Sequence, residues 1–582
     1  MRIIHISLIA ASLLGLFACQ KSDGFLDKKS TAELNEAVVF ADSARTIDFL
    51  TGLYAKLSFN VTFGSGNTRG DFSKMSDEAE GRYPAAGNFD KLITQGSFAG
   101  GFYSEVLGEW STMYGAVRHA NIFLKNVDNS PLSAALRARM KAESRLLRAY
   151  FYFYLVRYFG GVPLMDDNVF KIDDVVQNDR AAFADCVDYI VSELDEIAPQ
   201  LPLDYQGLQY GRVTRGAALA LKSRILLLAA SPLFNGGSFA EPGSRLEELV
   251  SYPSYDQNRW EQARLAAKAV MDLNKYALMI DNDTRPGNGF YQVFLTRMNN
   301  EFILYEPKPP GRQFEASHNP YSRGGRNYYY YPTQELVDWF PMANGLPITD
   351  PASGYNPNNP YVNRDPRFNY TVIYNGAQYW LQSASALRPV YTYAGAGDGL
   401  VPISNNSRTI TGYYVRKFCS ETTSQQSGGG NTEGSVSLIR YAEILLNYAE
   451  AANEMGQTAD AMNQLIALRE RAGIQPGLDN RYGLPANPTQ EEARKLIWNE
   501  RAIELAFENH RYFDVRRWKR GEEFDGKYVH GMRITQANDN APPSAYERFQ
   551  VRTRYFKNNI YLFPIPESET VLNLNMLQNP GW

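Results

Sequence analysis

The sequence predicts a mainly α-helical fold in which paired helices support a second, irregular half with a few short strands. Several long segments repeat apolar residues at three- and four-residue spacing, as on one face of a helix. Neighbouring helices of this kind are rich in alanine and aromatic residues, and such pairs look like degenerate tetratricopeptide units with a period of roughly 34 residues, stacked into a superhelix. Between the helical parts, residues 281–433 are rich in Gly, Pro, Asn, Ser and Tyr, which indicates loops.

The N-terminus has a signal-peptide pattern. Arg2 precedes a largely apolar run over residues 3–18, which is shorter than the about 20 apolar residues that a membrane-spanning helix needs. Residues 16–19 read Leu-Phe-Ala-Cys, the form of a bacterial lipobox, in which the cysteine thiol takes a diacylglyceryl group before cleavage. We therefore expect Cys19 to become the first residue and to carry the lipid anchor. An ordinary secretory signal, with Cys19 incidental, is the alternative.

Helical periodicity continues through much of the remaining chain. The expected helices begin near Asp42, Glu105, Leu132, Val213, Trp260, Leu438, Ala459 and Thr489. The helix that ends at Phe159 contains a run over residues 150–156 with hardly a polar face, and a helix that is apolar all round is buried. This aromatic run is therefore expected in the core rather than on a binding surface.

Capping residues support the boundaries of the last helices. Thr489 can cap the final helix, which we expect to run to about Asn509, while Glu492 reaches back as in a capping box. Gly456 and Gly473 follow the two paired helices before it. Glycine commonly follows a helix end, so these glycines indicate where the two helices stop.

These patterns divide the chain into regions. We expect a signal peptide at 1–18, a lipidated cysteine and tether at 19–40, a helical region at 41–280 and a C-terminal region at 281–582, itself divided into 281–435 (loop-rich), 436–520 (helical) and 521–582. Long irregular stretches in a compact protein are usually functional surfaces or disorder, and the density of tyrosine argues against disorder. Part of the working surface is therefore expected in 281–435, which also holds β-like pieces at Tyr370–Tyr374 and Tyr413–Phe418.

Composition bounds the possible functions. The net charge is −4 and the pI near 5.9, which gives no reason to expect a nucleic-acid partner. Aromatic residues make up 13% of the chain, with 38 Tyr and 7 Trp; such side chains suit stacking on sugar rings and equally suit core packing. Besides Cys19, the cysteines are Cys186 and Cys419, for which two buried thiols are favoured over a disulfide.

Three glutamates of the final helix, Glu500, Glu504 and Glu508, are spaced so that they form a carboxylate stripe on one face. They could form a metal site or an acid/base pair. Like charges at this spacing repel, so cations must neutralise them, and a salt-bridged network that fixes the helix is the favoured interpretation. The arginines close in sequence are Arg501, Arg511, Arg516 and Arg517.

No motif points to a cofactor, a metal or a catalytic nucleophile. The five histidines, His5, His119, His318, His510 and His530, show no zinc-ligand spacing. The triplets 281–283 and 538–540 are rich in oxygen ligands but lack the glycine and distal glutamate of an EF-hand, so solvated turns are expected. The glycine-rich segments lack a following Lys-Ser/Thr, and no G-x-S-x-G elbow occurs. We therefore expect no cofactor and no enzyme.

A series of motifs runs from the lipobox to the C-terminus. They are Phe25-Leu26-Asp27 after Cys19, Phe159-Gly160-Gly161-Val162-Pro163-Leu164, Gly211-Arg212-Val213-Thr214, Arg364-Asp365-Pro366-Arg367-Phe368, Arg440-Tyr441-Ala442-Glu443, Arg511-Tyr512-Phe513-Asp514, Arg516-Arg517-Trp518, Phe563-Pro564-Ile565-Pro566 and Gln578-Asn579-Pro580-Gly581. In this order they resemble the SusD/RagB family of outer-membrane nutrient-binding lipoproteins.

The resemblance implies a SusD-like fold and a mode of action. It implies a lipid-anchored protein exposed on the outer membrane, with a SusC-like TonB-dependent β-barrel as partner, over which the protein sits as a hinged lid. An oligosaccharide, or alternatively a peptide, would be captured between lid and barrel without any bond being broken. A surface glycoside hydrolase and a tetratricopeptide-type protein-binding adaptor are the alternatives.

The resemblance also suggests where to look for ligand contacts, because the family binds ligand with loops that vary between members. By position, these are the loop between the first two helices, which begin near Asp42 and Glu105, and the segment around 314–328. The candidate residues are Asp77, Arg82, Tyr83, Phe314, His318, Tyr321, Arg326 and Tyr328. For each, a surface side chain without a ligand is the alternative.

Overall fold

The structure is a computed structural model that describes residues 35–57, 72–81, 93–98, 100–171, 174, 178–307, 309–325, 330–402, 408–421 and 435–582. Cys19 and the expected signal peptide lie outside the described residues. Within them the protein is mainly helical, as predicted, with small two-stranded sheets.

The elements are numbered here in chain order. The helices are α1 (Glu36–Phe40), α2 (Ser43–Tyr54), α3 (Gly100–Asn126), α4 (Ala134–Phe159), α5 (Phe183–Ile197), α6 (Arg215–Ala230), α7 (Arg245–Val250), α8 (Asn258–Met271), α9 (Asn288–Val293), α10 (Gln313–His318), α11 (Gln334–Trp339), α12 (Pro366–Thr371), α13 (Tyr441–Glu454), α14 (Thr458–Arg471), α15 (Gln490–Glu504), α16 (Arg511–Arg517) and α17 (Glu567–Leu572). The strands are β1 (Ala79–Gly81), β2 (Phe302–Pro307), β3 (Tyr330–Pro332), β4 (Val372–Ile373), β5 (Gln378–Leu381), β6 (Ala386–Pro389), β7 (Tyr414–Val415), β8 (Ser435–Arg440), β9 (Tyr528–Thr535) and β10 (Ala545–Thr553).

The helices pack side by side as a continuous layer of pairs. Helix α3 packs on α4, α4 on α5, α5 on α6 and α6 on α8. Helix α8 then packs on α13, although residues 272–440 lie between them in the chain, and α13 packs on both α14 and α15. The layer therefore agrees with the predicted tetratricopeptide-like pairs, and the loop-rich segment is an insertion between two helices that are neighbours in space.

The aromatic run of α4 lies in the main hydrophobic core, as predicted. Tyr150, Phe151 and Tyr152 are completely buried, and the rest of residues 150–156 is nearly so. The helix ends at Gly160, whose φ of 78° lies in the left-handed region, and a Cβ there would lie 2.7 Å from the Leu249 carbonyl oxygen. Only glycine accepts both conditions without strain, so the predicted stop signal has a steric cause.

The loop-rich half contains short antiparallel strand pairs around a second core. The pairs are β1 with β3, β2 with β8, β4 with β7, β5 with β6 and β9 with β10. Strands β4 and β7 lie within the predicted β-like pieces and pair through Val372 with Val415 and Ile373 with Tyr414. Phe290, a buried residue of α9, belongs to the second core, so the irregular half has apolar packing of its own.

Three predicted helix boundaries are wrong. Helix α3 begins at Gly100 rather than near Glu105. Leu438 and Ile439 belong to strand β8, and the helix begins only at Tyr441, because these residues pair with β2. Helix α15 ends at Glu504 rather than near Asn509, and Phe507 has a left-handed φ of 63°, which a right-handed helix cannot contain.

A lysine explains why α15 stops early. The buried Lys417 ammonium donates to the carbonyl oxygens of Glu504 (2.9 Å) and Ala506 (2.8 Å). The Phe507 amide donates to the carboxylate of Glu78 (3.3 Å). These tertiary hydrogen bonds satisfy backbone groups at the helix end, so the chain turns where a local pattern would continue.

Cys186 and Cys419 are buried free thiols, as predicted. Burial raises the pKa of Cys186 to about 12 and raises that of Cys419 as well, so both stay protonated near neutral pH. Among the described residues, no helix is long and apolar enough to cross a membrane.

Candidate functional site

The three glutamates selected from the sequence lie in a buried ion-pair network. Arg367 contacts both Glu500 (2.6 Å) and Glu504 (3.0 Å). Arg440 contacts Glu504 and Glu508 at 2.7 Å each. The remaining cations are Arg469 on Glu500, Arg471 on Glu504 and Lys417 on Glu508. The network interpretation of the carboxylate stripe is therefore confirmed.

The partners of these glutamates differ from the arginines expected from proximity in sequence. Arg501 and Arg517 both bind Asp514 at 2.8 Å. Arg511 binds Asp77 at 2.8 Å, and Arg516 donates to the backbone oxygen of residue 560. The true partners come from the loop-rich half and from β8 and α14, and Glu508 reaches the network from beyond the helix end.

This network stabilises the fold and leaves no carboxylate open to a substrate. Glu500 and Glu504 are fully buried. Burial alone would raise the pKa of Glu504, but Arg471, Arg440 and Arg367 together hold it well below its ordinary value. A carboxylate that stays ionised and shared among three cations is poorly suited to proton transfer near neutral pH.

The strand pair β1–β3 brings the two predicted ligand segments together. Gly81, the last residue of β1, is the register partner of Tyr330, the first residue of β3. The two strand ends from which the candidate segments continue therefore meet at one end of the sheet. The candidates in these segments, Arg82, Tyr83, Arg326 and Tyr328, lie outside the described residues, and their role stays a prediction.

Three other candidates face the interior. Asp77 receives a two-pronged ion pair from Arg511, with both distances 2.8 Å. Phe314 is half-buried, and its ring centroid lies 5.7 Å from that of Phe418. His318 is 3% exposed, and burial lowers its pKa to about 3. These three side chains contact other residues of the protein in this arrangement, and a direct ligand contact by them stays a prediction.

Tyr321 is the described candidate that reaches the surface, with 69% of its side chain exposed. It begins a short turn that is held on both sides. The Ser322 amide donates to Asp398 at 2.8 Å. The buried Arg323 donates to the Ser322 hydroxyl (2.7 Å) and to the carbonyl oxygens of Arg388 (3.0 Å) and residue 389 (2.9 Å). Tyr321 is therefore an exposed ring on a fixed backbone.

The hairpin β5–β6 adjoins this turn. Trp380 is the register partner of Leu387, so these two side chains share one face of the hairpin. Leu387 is 41% exposed and Trp380 half-buried. On the other face, Tyr379 is buried and its hydroxyl donates to Asn319 at 3.0 Å. We call Tyr321, Trp380 and Leu387 the hairpin face; Arg388, the register partner of Tyr379, lies on the opposite face of the hairpin.

The hairpin face has the chemistry of a sugar-binding surface. Flat aromatic and apolar groups cover the C–H face of a sugar ring. Trp380 and Leu387 were missed in the sequence because a four-residue strand gives little periodicity; the alternation Gln378-Tyr379-Trp380-Leu381 was the available signal.

The oxygen-rich triplets are turns, as expected. Asp281 accepts from the Thr284 amide at 3.0 Å, and Asn282 accepts from the Gly287 amide at 2.8 Å. In the triplet 538–540, the Asn538 side chain accepts from the amide two residues later. Over the part of the chain that the structure describes, no group of three or more His, Cys, Asp or Glu could hold a metal ion.

The chain combines a helical layer of tetratricopeptide-like pairs with an inserted irregular half that carries an aromatic surface. This arrangement is typical of a binding protein. The comparison with known proteins agrees. A family model described as "SusD family" matches residues 290–582, and a second, described as "Starch-binding associating with outer membrane", matches residues 24–227. The chain belongs to the SusD family, whose members are binding proteins and not enzymes.

Known relatives align over nearly the whole chain. SusD-like protein P2 of Formosa agariphila is 24% identical over 571 residues, which cover 95% of this chain and 93% of the relative. A SusD-like protein of Bacteroides fragilis has a TM-score of 0.73 at 26% identity, covering 94% of this chain and 98% of that one. A second structure from that species, described as a SusD-like carbohydrate-binding protein, has a TM-score of 0.73 at 25% identity and covers 93% and 100%.

Proposed function

We propose that the protein captures glycans on the outer face of the outer membrane and delivers them to a SusC-like TonB-dependent β-barrel, which it covers as a hinged lid. The observation that carries the proposal is the hairpin face, where Tyr321 stands exposed on a turn held by Asp398 and Arg323. The family model described as starch-binding and associating with the outer membrane supports both the ligand class and the location.

A fixed aromatic side chain suits weak and reversible capture. A stacked aromatic contributes about 0.5–1.5 kcal/mol beyond the area it buries, and a ring that is already ordered loses little conformational entropy on binding. Several such contacts along an oligosaccharide give an affinity that still allows release to a transporter. The hydrogen bonds of Arg323 to the hairpin backbone link the turn of Tyr321 and the hairpin into one unit.

The anchor completes the proposed arrangement. Cys19 carries the lipid, and the polar segment that follows it to Asn35 links the lipid to the helical layer. Two acyl chains are roughly what stable membrane attachment requires. The lipid and this segment hold the lid close to the barrel while the lid opens.

Binding of sugars rather than peptides is tested with the purified protein. Isothermal titration or affinity electrophoresis against a panel of soluble glycans, with a random peptide mixture in parallel, gives a direct answer. We expect saturable binding to at least one glycan family. Binding to peptides and to no oligosaccharide would overturn the sugar assignment while leaving the uptake role standing.

The two alternative functions have less support. A glycoside hydrolase needs two carboxylates that face each other across a cleft at about 5 or 6.5–9.5 Å, and the carboxylates selected from the sequence are buried in ion pairs. A tetratricopeptide adaptor needs an open helical groove, whereas Arg367 of the irregular half reaches into the helical layer to bind Glu500 and Glu504.

A further inference from the structure

A cavity of about 530 Å³ lies on the helical side of the molecule, away from the elements that build the hairpin face. It is open on one side and is lined by α3, by the segment after α4 and by α17 with the residues that follow it. Its apolar wall comes from Trp110, Tyr114, Met165, Phe170, Leu572 and Met576. Its volume falls within the about 300–1,000 Å³ of pockets that bind small molecules.

Two aromatic side chains of α3 form one wall. Trp110 and Tyr114 lie one helical turn apart, with ring centroids 4.8 Å from each other. Trp110 is 4% exposed and packs edge-to-face on Phe159 at 5.0 Å. The Tyr114 hydroxyl donates to the carbonyl oxygen of Pro163 at 2.8 Å. Both rings are therefore held in place.

A set of amides fixes the opposite wall. Asn121 donates to the carbonyl oxygens of Asp166 and Asn168 at 2.9 Å each. Asn573, beyond α17, donates to the carbonyl oxygen of Asn178 at 3.3 Å. These hydrogen bonds join the segment after α4 to its two neighbours, so the cavity is part of the folded architecture.

Other polar groups of the lining are unused. Within the described ranges, the Trp110 indole N–H, the Ser111 hydroxyl, the Asn168 side-chain amide and the Glu569 carboxyl form no hydrogen bond with the protein. Glu569 is half-buried, and burial raises its pKa. The Trp110 indole N–H is not among the fully buried polar atoms that lack a partner, so it is accessible from the cavity and available to a ligand.

The chain's own N-terminal region packs on the far side of α3. With about 3.6 residues per turn, Trp110, Tyr114 and Asn121 share one face of this helix, while His119 and Phe123 lie on the opposite face. His119 and Phe123 contact Phe49 of α2, with ring centroids 4.2 and 6.4 Å apart. Helix α2 therefore does not fill the cavity.

The unused groups select the class of ligand. They include a pure donor (Trp110), a pure acceptor when ionised (Glu569) and two groups that both donate and accept (Ser111 and Asn168). A purely apolar ligand would bond to none of them, at a cost for each group that it cuts off from water. A sugar ring presents an apolar face to the aromatic wall and hydroxyl groups that both donate and accept.

We propose that this cavity is a second carbohydrate site, which binds one or two sugar rings of an oligosaccharide independently of the hairpin face. The proposal rests on the proposed function and adds a second contact. Two sites on one molecule raise the effective affinity for a long chain that reaches both, because the second binding event becomes intramolecular.

The test blocks each site separately. Ser111→Trp places a large ring at the exposed rim of the cavity, and Ser192→Trp makes the same change on the exposed face of α5 as a matched control. Tyr321→Ala removes the ring of the hairpin face. Isothermal titration uses oligosaccharides of α-1,4-, β-1,3- and β-1,4-linked glucose, of mannan and of xylan, and circular dichroism checks the fold of each variant.

We expect two binding events per molecule for the wild type and Ser192→Trp, one for Ser111→Trp and one for Tyr321→Ala. In the Tyr321→Ala background, Glu569→Gln should weaken the remaining event about tenfold, because a hydrogen bond to a charged acceptor is lost. This variant keeps the size of the side chain.

The outcomes separate this inference from the proposed function. A single binding event that is lost in Tyr321→Ala and unchanged in Ser111→Trp overturns the second site and leaves the proposed function intact. A single binding event that is lost in Ser111→Trp and unchanged in Tyr321→Ala supports the cavity as a sugar site and excludes the hairpin face as one. A wild-type protein that binds none of these oligosaccharides overturns both.

Discussion

Removing one buried carboxylate tests the ion-pair network most sharply. Glu504 is fully buried and contacts Arg367 at 3.0 Å and Arg440 at 2.7 Å, with Arg471 as its third cation. Glu504→Gln keeps the shape of the side chain but leaves three buried guanidinium groups with less negative charge. Breaking a buried ion pair by removing one partner costs about 3–5 kcal/mol, which is a large part of the about 5–15 kcal/mol by which proteins are stable.

The assay is urea unfolding followed by circular dichroism and by tryptophan fluorescence. Coincident transitions from the two probes are needed before a free energy of unfolding is derived. Glu491→Gln is the control, because Glu491 pairs with Lys495 on the surface and both side chains are about two-thirds exposed; we expect it to leave the transition unchanged. A loss below about 1 kcal/mol for Glu504→Gln would refute the structural role given to this carboxylate.

Three further predictions follow from charge, anchoring and burial. Basic partners lower the pKa values of Glu504 and Asp514 below the ordinary values of 4.5 and 3.8. The stability that these carboxylates contribute is therefore present above the ordinary values and is lost as the pH falls through the lowered ones. The urea midpoint should decline steadily below about pH 4.5, and a midpoint that stays constant down to about pH 3 would contradict this. Cys19→Ala should reduce glycan uptake by cells more than it reduces binding in solution, and an equal loss of both argues against the tether. In that same variant, Cys186 and Cys419 should react with Ellman's reagent only after unfolding, since burial raises both thiol pKa values; rapid reaction of the native protein would show that they are accessible.

Much of the helical layer could be predicted from sequence because its signals are local. The apolar periodicity of α2 and α3, the all-apolar run of α4 and the capping box of α15 lie within the elements they define. The structure confirms the capping box, in which Thr489 accepts from the Glu492 amide while Glu492 accepts from that of Thr489.

The end of α15 and the partners of its glutamates could not be predicted in this way. Lys417 donates hydrogen bonds to the carbonyl oxygens of Glu504 and Ala506, where the helix ends. Arg367 and Arg440 are distant in sequence from the carboxylates they bind. Such contacts depend on the tertiary fold, whereas sequence proximity favoured arginines that instead bind other groups.

For the candidate site, the sequence indicates regions rather than single residues, and those regions stay a prediction. Resemblance to a family indicated the segments near 77–83 and 314–328, and Gly81 and Tyr330, which adjoin these segments in the chain, pair at one end of a sheet. Which side chains face outward depends on local geometry. His318 points into the core while Tyr321, three residues later, is exposed, and no periodicity distinguishes the two.

The most direct test of glycan capture by the hairpin face is the affinity of Tyr321→Ala for the glycan that the wild type binds. Tyr255→Ala is the matched control, since Tyr255 is 62% exposed and lies between α7 and α8, away from the hairpin face. Titration calorimetry should show a loss of about 1–3 kcal/mol for Tyr321→Ala, covering the stacking contribution and the buried area, and no change for Tyr255→Ala. Equal affinity of wild type, Tyr321→Ala and Tyr255→Ala would contradict the claim that this surface captures the ligand.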